Sequence, residues 1–162
     1  PEYIHARIAK GVAPSLACEV ASEREPARSA LYTKTAVGVV LRSEPREDLS
    51  WKYGGGGLES TAVDLARFCD AVLRAKLVSA SARDLMWTPA KLNDGSALDY
   101  GLGWRIEEQG NAVRHSGSQQ GSSSTMLIVR DAELVIVVLT NTENGDAPGL
   151  MPKLRELCSA VR

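Results

Sequence analysis

The sequence predicts an α+β fold, an antiparallel sheet (a three-stranded meander) with packing helices that include one at the C-terminus. Three observations carry that expectation. Leu65, Phe68, Cys69, Val72 and Leu73 recur at i, i+3, i+4, i+7 and i+8, which is one face of a helix. β-rich runs separated by turn signals fill residues 91–145. The last run, Leu134 to Leu139, is unbroken aliphatic sequence without alternation, which implies a strand covered on both faces.

Residues 1–50 read as a loop-rich excursion. Ser22-Glu23-Arg24-Glu25-Pro26 and Ser43-Glu44-Pro45-Arg46-Glu47-Asp48 are polar, proline-bearing loops, and Leu31 to Leu41 between them is rich enough in β-formers for one strand. Residues 51–90 read as helical. Thr61 with Asp64 resembles a capping box ahead of a helix that runs to about Lys76. A second, short helix starts near Ser79 or Ser81, carries Leu85 and Met86, and stops before Pro89, because a residue preceding proline is pushed out of the α region.

Residues 91–145 give the sheet. Asn93-Asp94-Gly95 and Gln109-Gly110-Asn111 are turn signals around a glycine-bearing strand, Tyr100 to Ile106. Ala112 to Gly117, Ser124 to Val129 and Leu134 to Asn141 follow as strands. Residues 147–162 form a C-terminal helix with Leu150, Leu154, Leu157, Cys158 and Val161 at helical spacing, an apolar stripe that needs the sheet as its partner.

The chain has 162 residues, 44% hydrophobic and 24% charged, with 19 Lys+Arg against 20 Asp+Glu. That suits one domain over residues 1–162 and lacks the basic balance of a phosphate-gripping nucleic-acid binder. No apolar run approaches the roughly 20 residues of a membrane span. Cys18, Cys69 and Cys158 are scattered, without metal-ligand or framework spacing, and no cofactor is expected. The chain opens on Pro1 with no basic-then-apolar leader, so it reads as a processed product or a piece of something longer, and it assigns no compartment.

Two features invite chemistry. Gly54-Gly55-Gly56-Gly57 precedes a helix, but no Gly-Lys-Ser/Thr follows and no G-x-G-x-x-G fits, so a tight loop is the better reading than a phosphate cradle. His115-Ser116-Gly117-Ser118 is richer. A titratable imidazole, a hydroxyl and a glycine sit at a strand exit, where a backbone N–H such as that of Ser118 can donate to a developing oxyanion. On spacing alone, a half-buried histidine followed by a polar hairpin explains the same residues. His5 reads as a solvated surface residue. No G-x-S-x-G nucleophile elbow exists.

Taken in order, these segments resemble the C-terminal part of the serine β-lactamase and penicillin-binding-protein-like hydrolases. Tyr53 to Phe68 resembles that family's Gly-Gly-x-x-Ser-Thr-x-x-Asp-Leu-x-x-Phe segment. Met86-Trp87-Thr88-Pro89, Tyr100-Gly101-Leu102-Gly103-Trp104, His115-Ser116-Gly117 and Val138-Leu139-Thr140-Asn141 follow in the family's order. Asp48 to Tyr53 with the Met86 segment is most similar to the family's mitochondrial branch and its bacterial relatives. By this resemblance the catalytic candidates are His115, Ser116, Gly117 and Ser118, matching the third active-site motif, Lys/His-Thr/Ser-Gly. His115 would lend polar or positive character, Ser116 would bond a substrate carboxylate or carbonyl, Gly117 would leave room, and the Ser118 N–H would serve the oxyanion.

The family's nucleophile motif, S-x-x-K, has no counterpart: no serine here has lysine three residues later. Tyr/Ser-x-Asn is absent as well, and Lys34-Thr35-Ala36 imitates the third motif without its glycine. The resemblance therefore implies the back portion of an amide- or ester-cleaving hydrolase. Its partners would be an N-terminal portion bearing the Ser/Lys and Tyr motifs and a small-molecule amide or ester substrate, with an oligomer left open. The alternative is a non-catalytic assembly or binding module that keeps the fold. Histidine in place of lysine leans toward esterase or peptidase work over β-lactamase work.

Overall fold

A computed structural model describes residues 2–18, 28–41, 49, 51–119, 121–143 and 145–160. The polar loops expected around 22–26 and 43–48, and Val161 of the C-terminal stripe, lie outside these residues. The excursion opens with α1 (Glu2–Ile4), a wider π-helical turn His5–Ala9 and α2 (Lys10–Val12), on which His5 is exposed, as expected. Short β1 (Ala17–Cys18) pairs with β4 (Leu58–Glu59).

The single strand expected at 31–41 is instead a hairpin, β2 (Tyr32–Thr35) against β3 (Gly38–Leu41). Ala36 and Val37 are not turn-forming types, which hid the reversal. Gly38, at φ +131°, and the Thr35 hydroxyl donating to the Gly38 carbonyl at 2.8 Å close it.

The helices are where the apolar periods put them. α3 (Ala62–Leu73) is capped by Thr61, whose hydroxyl accepts from the Asp64 N–H at 3.2 Å. The reciprocal half of the capping box is diverted. Asp64 accepts from the Ser15 N–H at 2.7 Å and from Arg67 at 2.7 Å, while the Thr61 N–H donates to the Ser15 hydroxyl. The cap thereby ties the first residues to α3. α4 (Ala80–Met86) is capped by Ser79 and ends at Trp87, ahead of Pro89.

The central sheet is an antiparallel meander of β6 (Ala112–Gln119), β7 (Ser122–Val129) and β8 (Leu134–Thr140), extended by a short fourth strand, β5 (Arg105–Glu107), in the order β5-β6-β7-β8. The strand expected over Tyr100–Ile106 forms only from Arg105. Gly103 at φ +82° and the Gly101 N–H donating to the Trp104 carbonyl turn residues 101–104 into a bend. Beyond β8, β9 (Thr142–Glu143) runs parallel to β2, and α5 (Ala147–Ala160) closes the chain.

Alternation along the strands makes two apolar layers. Val113 and Ile128 pack with Cys69 and Val72 of α3 and with Trp87, Trp104 and Ile106. Ala112, Leu127, Val129 and Ile136 pack with Met151 on the opposite side. Helices thus cover both faces of β8, as its aliphatic run implied, although β8 is the last strand of its sheet. The α5 stripe differs from expectation. Ala147, Met151, Leu154 and Cys158 face the sheet, while Leu150 and Leu157, 50% and 52% exposed, lie off that face. The seven-residue step from Leu150 to Leu157 follows the helical period as well as the true stripe does, so periodicity alone chose the wrong neighbours.

Candidate functional site

The site is built around the second half of β6. Its partner β5 reaches back only to Arg105, opposite Arg114, so among the described residues His115 to Gln119 are paired with β7 alone. A strand whose outer N–H and C=O groups lack a partner is a ready template for an extended ligand.

Two segments frame that open stretch. At the His115 end stands the 100–104 bend. Leu102 donates its N–H to the Met86 carbonyl at 3.0 Å, satisfying an orphan carbonyl at the end of α4. A side chain at Gly101 would collide with that same carbonyl. Trp104 meets Trp87 edge-to-face at 6.2 Å between ring centroids and 81° between planes. The bend so fixed presents the Gly103 carbonyl at 2.7 Å and the Tyr100 hydroxyl at 3.1 Å to Nδ1 of His115. A carbonyl can only accept, so Nδ1 carries a proton and Nε2 is the ring nitrogen left for another partner.

At the other end stands the 51–57 loop. The Lys52 carbonyl accepts from the Gly55 and Gly57 N–H groups at 2.8 and 3.1 Å, and its own N–H donates to Leu49 at 3.0 Å. Gly56, at φ +121°, passes so close to Gln119 that a Cβ would sit 2.5 Å from the side-chain amide. The Lys52 ammonium donates to Gln119 Oε1 at 3.0 Å. The glycine run is therefore a tight loop against a strand end.

The four residues expected to carry chemistry are contiguous on this stretch, but their side chains do not converge. His115 and Gly117 share the face toward α3, while Ser116 and Ser118 point to the other. The Ser116 hydroxyl is paired across the sheet with Thr125 at 2.8 Å, and the Ser118 hydroxyl reaches the Ser122 carbonyl at 3.4 Å. Among the described residues, a Cβ at Gly117 would find only the Ser124 hydroxyl, at ordinary contact distance. Nothing among the described residues requires glycine there.

A cleft of about 290 Å³ opens at the His115 end, lined by Tyr100, Arg105, Arg114, His115, Ser116 and Pro148. Its guanidiniums are already matched. Arg114 bonds Glu107 at 2.7 Å and Arg105 pairs with Asp99. Sequence reasoning missed Tyr100, Lys52 and Gln119 as parts of this frame. The Tyr100–Trp104 segment was visible, yet only the bend at Gly103 brings it to the histidine.

The Cys69 thiol is poorly placed for nucleophilic work. Cys69 is fully buried, with Sγ 3.4 Å from Met126 Sδ, and burial pushes its thiol up to about 12, so almost no thiolate exists at neutral pH. Among the described residues no group of three or more His, Cys, Asp or Glu is placed to hold a metal ion, and no helix is long and apolar enough to cross a membrane.

Comparison with known proteins bears on the fold and the family. The family model described as Beta-lactamase matches residues 3–158. Penicillin-binding protein 4* of Bacillus subtilis (strain 168) is 33% identical over 93 residues, covering 56% of this chain and 21% of its own length. The penicillin-binding protein from Bacillus halodurans superposes with a TM-score of 0.76 at 17% identity, over 96% of this chain and 49% of that one. The octameric penicillin-binding protein homologue from Pyrococcus abyssi superposes with a TM-score of 0.75 at 23% identity, over 98% of this chain and 37% of that one. The chain thus spans less than half the length of each of these relatives.

Proposed function

Taking as premise that this chain belongs to the beta-lactamase family, we propose that it is the C-terminal portion of a serine hydrolase that cleaves amide or ester bonds through an acyl-enzyme. The nucleophile and its base come from a segment outside residues 1–162. The observation that carries this reading is the open β6 edge from His115 to Gln119, framed at both ends, in a sequence with no S-x-x-K.

The chemistry divides between the two portions. A serine hydroxyl from the other portion attacks the carbonyl carbon, its proton passing to the base supplied with it. The carbonyl oxygen gains the negative charge of the tetrahedral intermediate, and the Ser118 backbone N–H on the open edge donates to it. Collapse expels the amine or alkoxide with a proton, and water then releases the acyl group by the same path in reverse. His115 takes the position where the family motif has Lys or His. Its Nδ1–H is held by the Gly103 carbonyl, which aims Nε2 as a polar contact for the substrate. Ser116, occupied by Thr125, braces the strand and can still accept a bond from substrate. The octameric relative supports oligomerisation of the whole protein as part of the same reading.

A chromogenic short-chain ester and a fluorophosphonate serine probe test this on the isolated chain. Neither turnover nor labelling is the expected result. Turnover by residues 1–162 alone would overturn the division of labour.

A further inference from the structure

His115 sits half-buried where β6 has just outrun β5, with Met126 of β7 beside it and, among the described residues, no strand on its other flank. Its imidazole turns about two bonds, and a half-turn about the second swaps nitrogen for carbon at each hydrogen-bonding position of the ring. The bond from Nδ1 to the Gly103 carbonyl, 2.7 Å long, resists that half-turn. Gly103 is exposed, however, and water competes for the same carbonyl. A ring in this place is steadied by a second hold.

Tyr100 supplies one. Its hydroxyl stands 3.1 Å from the same Nδ1. With the proton on Nδ1, the phenol oxygen is a second acceptor for it. Two acceptors around one N–H fix the plane of the ring as well as the place of the nitrogen.

The phenol is itself held through its backbone. The Tyr100 carbonyl accepts from the Ala90 N–H at 2.9 Å, and Tyr100 bridges to Arg105 at the start of β5. The preceding Asp99 carbonyl accepts from the Ile106 N–H at 2.8 Å. Gly101 and Leu102 tie the bend to Trp104 and Met86, so the Gly103 carbonyl and the Tyr100 hydroxyl reach His115 from one fixed segment. These bonds leave the hydroxyl free for the histidine, and Tyr100 and His115 line the same cleft.

We propose that Tyr100 is a positioning residue that works through His115: its hydroxyl anchors Nδ1–H and the ring plane, so that Nε2 is kept for the cleft. The consequence for catalysis rests on the hydrolase reading above; the hold on the ring does not.

The test uses the full protein with isotope-labelled histidine, His115 being assigned as the ring signal lost in His115→Ala. Tyr100→Phe keeps the aromatic ring and the backbone bonds and removes only the acceptor. The Nδ1 proton of His115 should then exchange with water about tenfold faster than in the parent, the factor carried by one hydrogen bond. His5, exposed on the first helical segment, is the internal control and should not change. An exchange rate at His115 that Tyr100→Phe leaves unaltered overturns the proposal. A double-mutant cycle in ester hydrolysis separates action through the histidine from a general effect on the fold. Tyr100→Phe should lower kcat/KM about fivefold to tenfold in the parent, and by less than about twofold in the His115→Ala background. Equal factors in the two backgrounds would overturn it too, since the hydroxyl would then act without the ring. No turnover of any ester by the full protein sinks the hydrolase reading alone, and the exchange rates still decide whether Tyr100 holds His115.

Discussion

Among the described residues a methyl group at position 117 would touch only the Ser124 hydroxyl, and the backbone there is ordinary strand. Gly117→Ala should therefore fold as well as the parent, or gain up to about 1 kcal/mol from a stiffer unfolded chain. If the cleft reading is right, the same methyl group stands where substrate must approach, and hydrolysis by the full protein should fall at least about tenfold while the melting temperature holds. Asp64 makes the opposite case, a residue whose work is structural. Hydrogen bonds from Ser15, with Arg67 adding to them, hold its carboxyl below the ordinary carboxylate range, against the opposing effect of burial. A depressed folded value means the stabilisation is present above the unfolded pKa of about 4 and is lost as pH falls through the folded value. Acid titration of unfolding should show a steeper loss below pH of about 4 in the parent than in Asp64→Asn. Equal slopes would remove Asp64 as the clasp between the first residues and α3.

Elements announced by period and cap were legible, and those set by backbone geometry were not. α3 and α4 could be placed because Thr61 and Ser79 are good N-caps and the apolar residues of α3 recur every third or fourth position. The 32–41 hairpin stayed hidden because its turn uses Ala36 and Val37, and Tyr100 read as strand because Gly101 and Gly103 read as strand residues and not as the bend that Gly103 permits. On α5 the stripe was half right. The difference between its two candidate faces is measurable. Met151→Ala should cost about 2–5 kcal/mol in denaturant unfolding, since Met151 is 5% exposed against the sheet. Leu157→Ser, on the exposed side, should stay within about 0.5 kcal/mol. Comparable losses at the two positions would mean that α5 packs with a different face.

Over the whole molecule, the four-stranded sheet is open at both edges among the described residues, in full along β8 and in part along β6. At one edge β8 presents Leu134 to Thr140, which no strand covers among the described residues and which could template another strand. At the other, β6 outruns β5 and opens the cleft. The strand bearing the motif was legible because His115 to Ser118 are consecutive. The frame around it was not, since Tyr100 and Lys52 join β6 across 15 and 67 positions of sequence, distances at which no spacing rule operates. Under the hydrolase reading these residues furnish one wall of a cleft and the reacting hydroxyl comes from elsewhere. Peptide mapping of the full protein after fluorophosphonate treatment measures this most directly. A single modified serine outside residues 1–162 is the expected result, with labelling suppressed by Gly117→Val. Modification of any serine within these residues, or labelling indifferent to a side chain at 117, would contradict it.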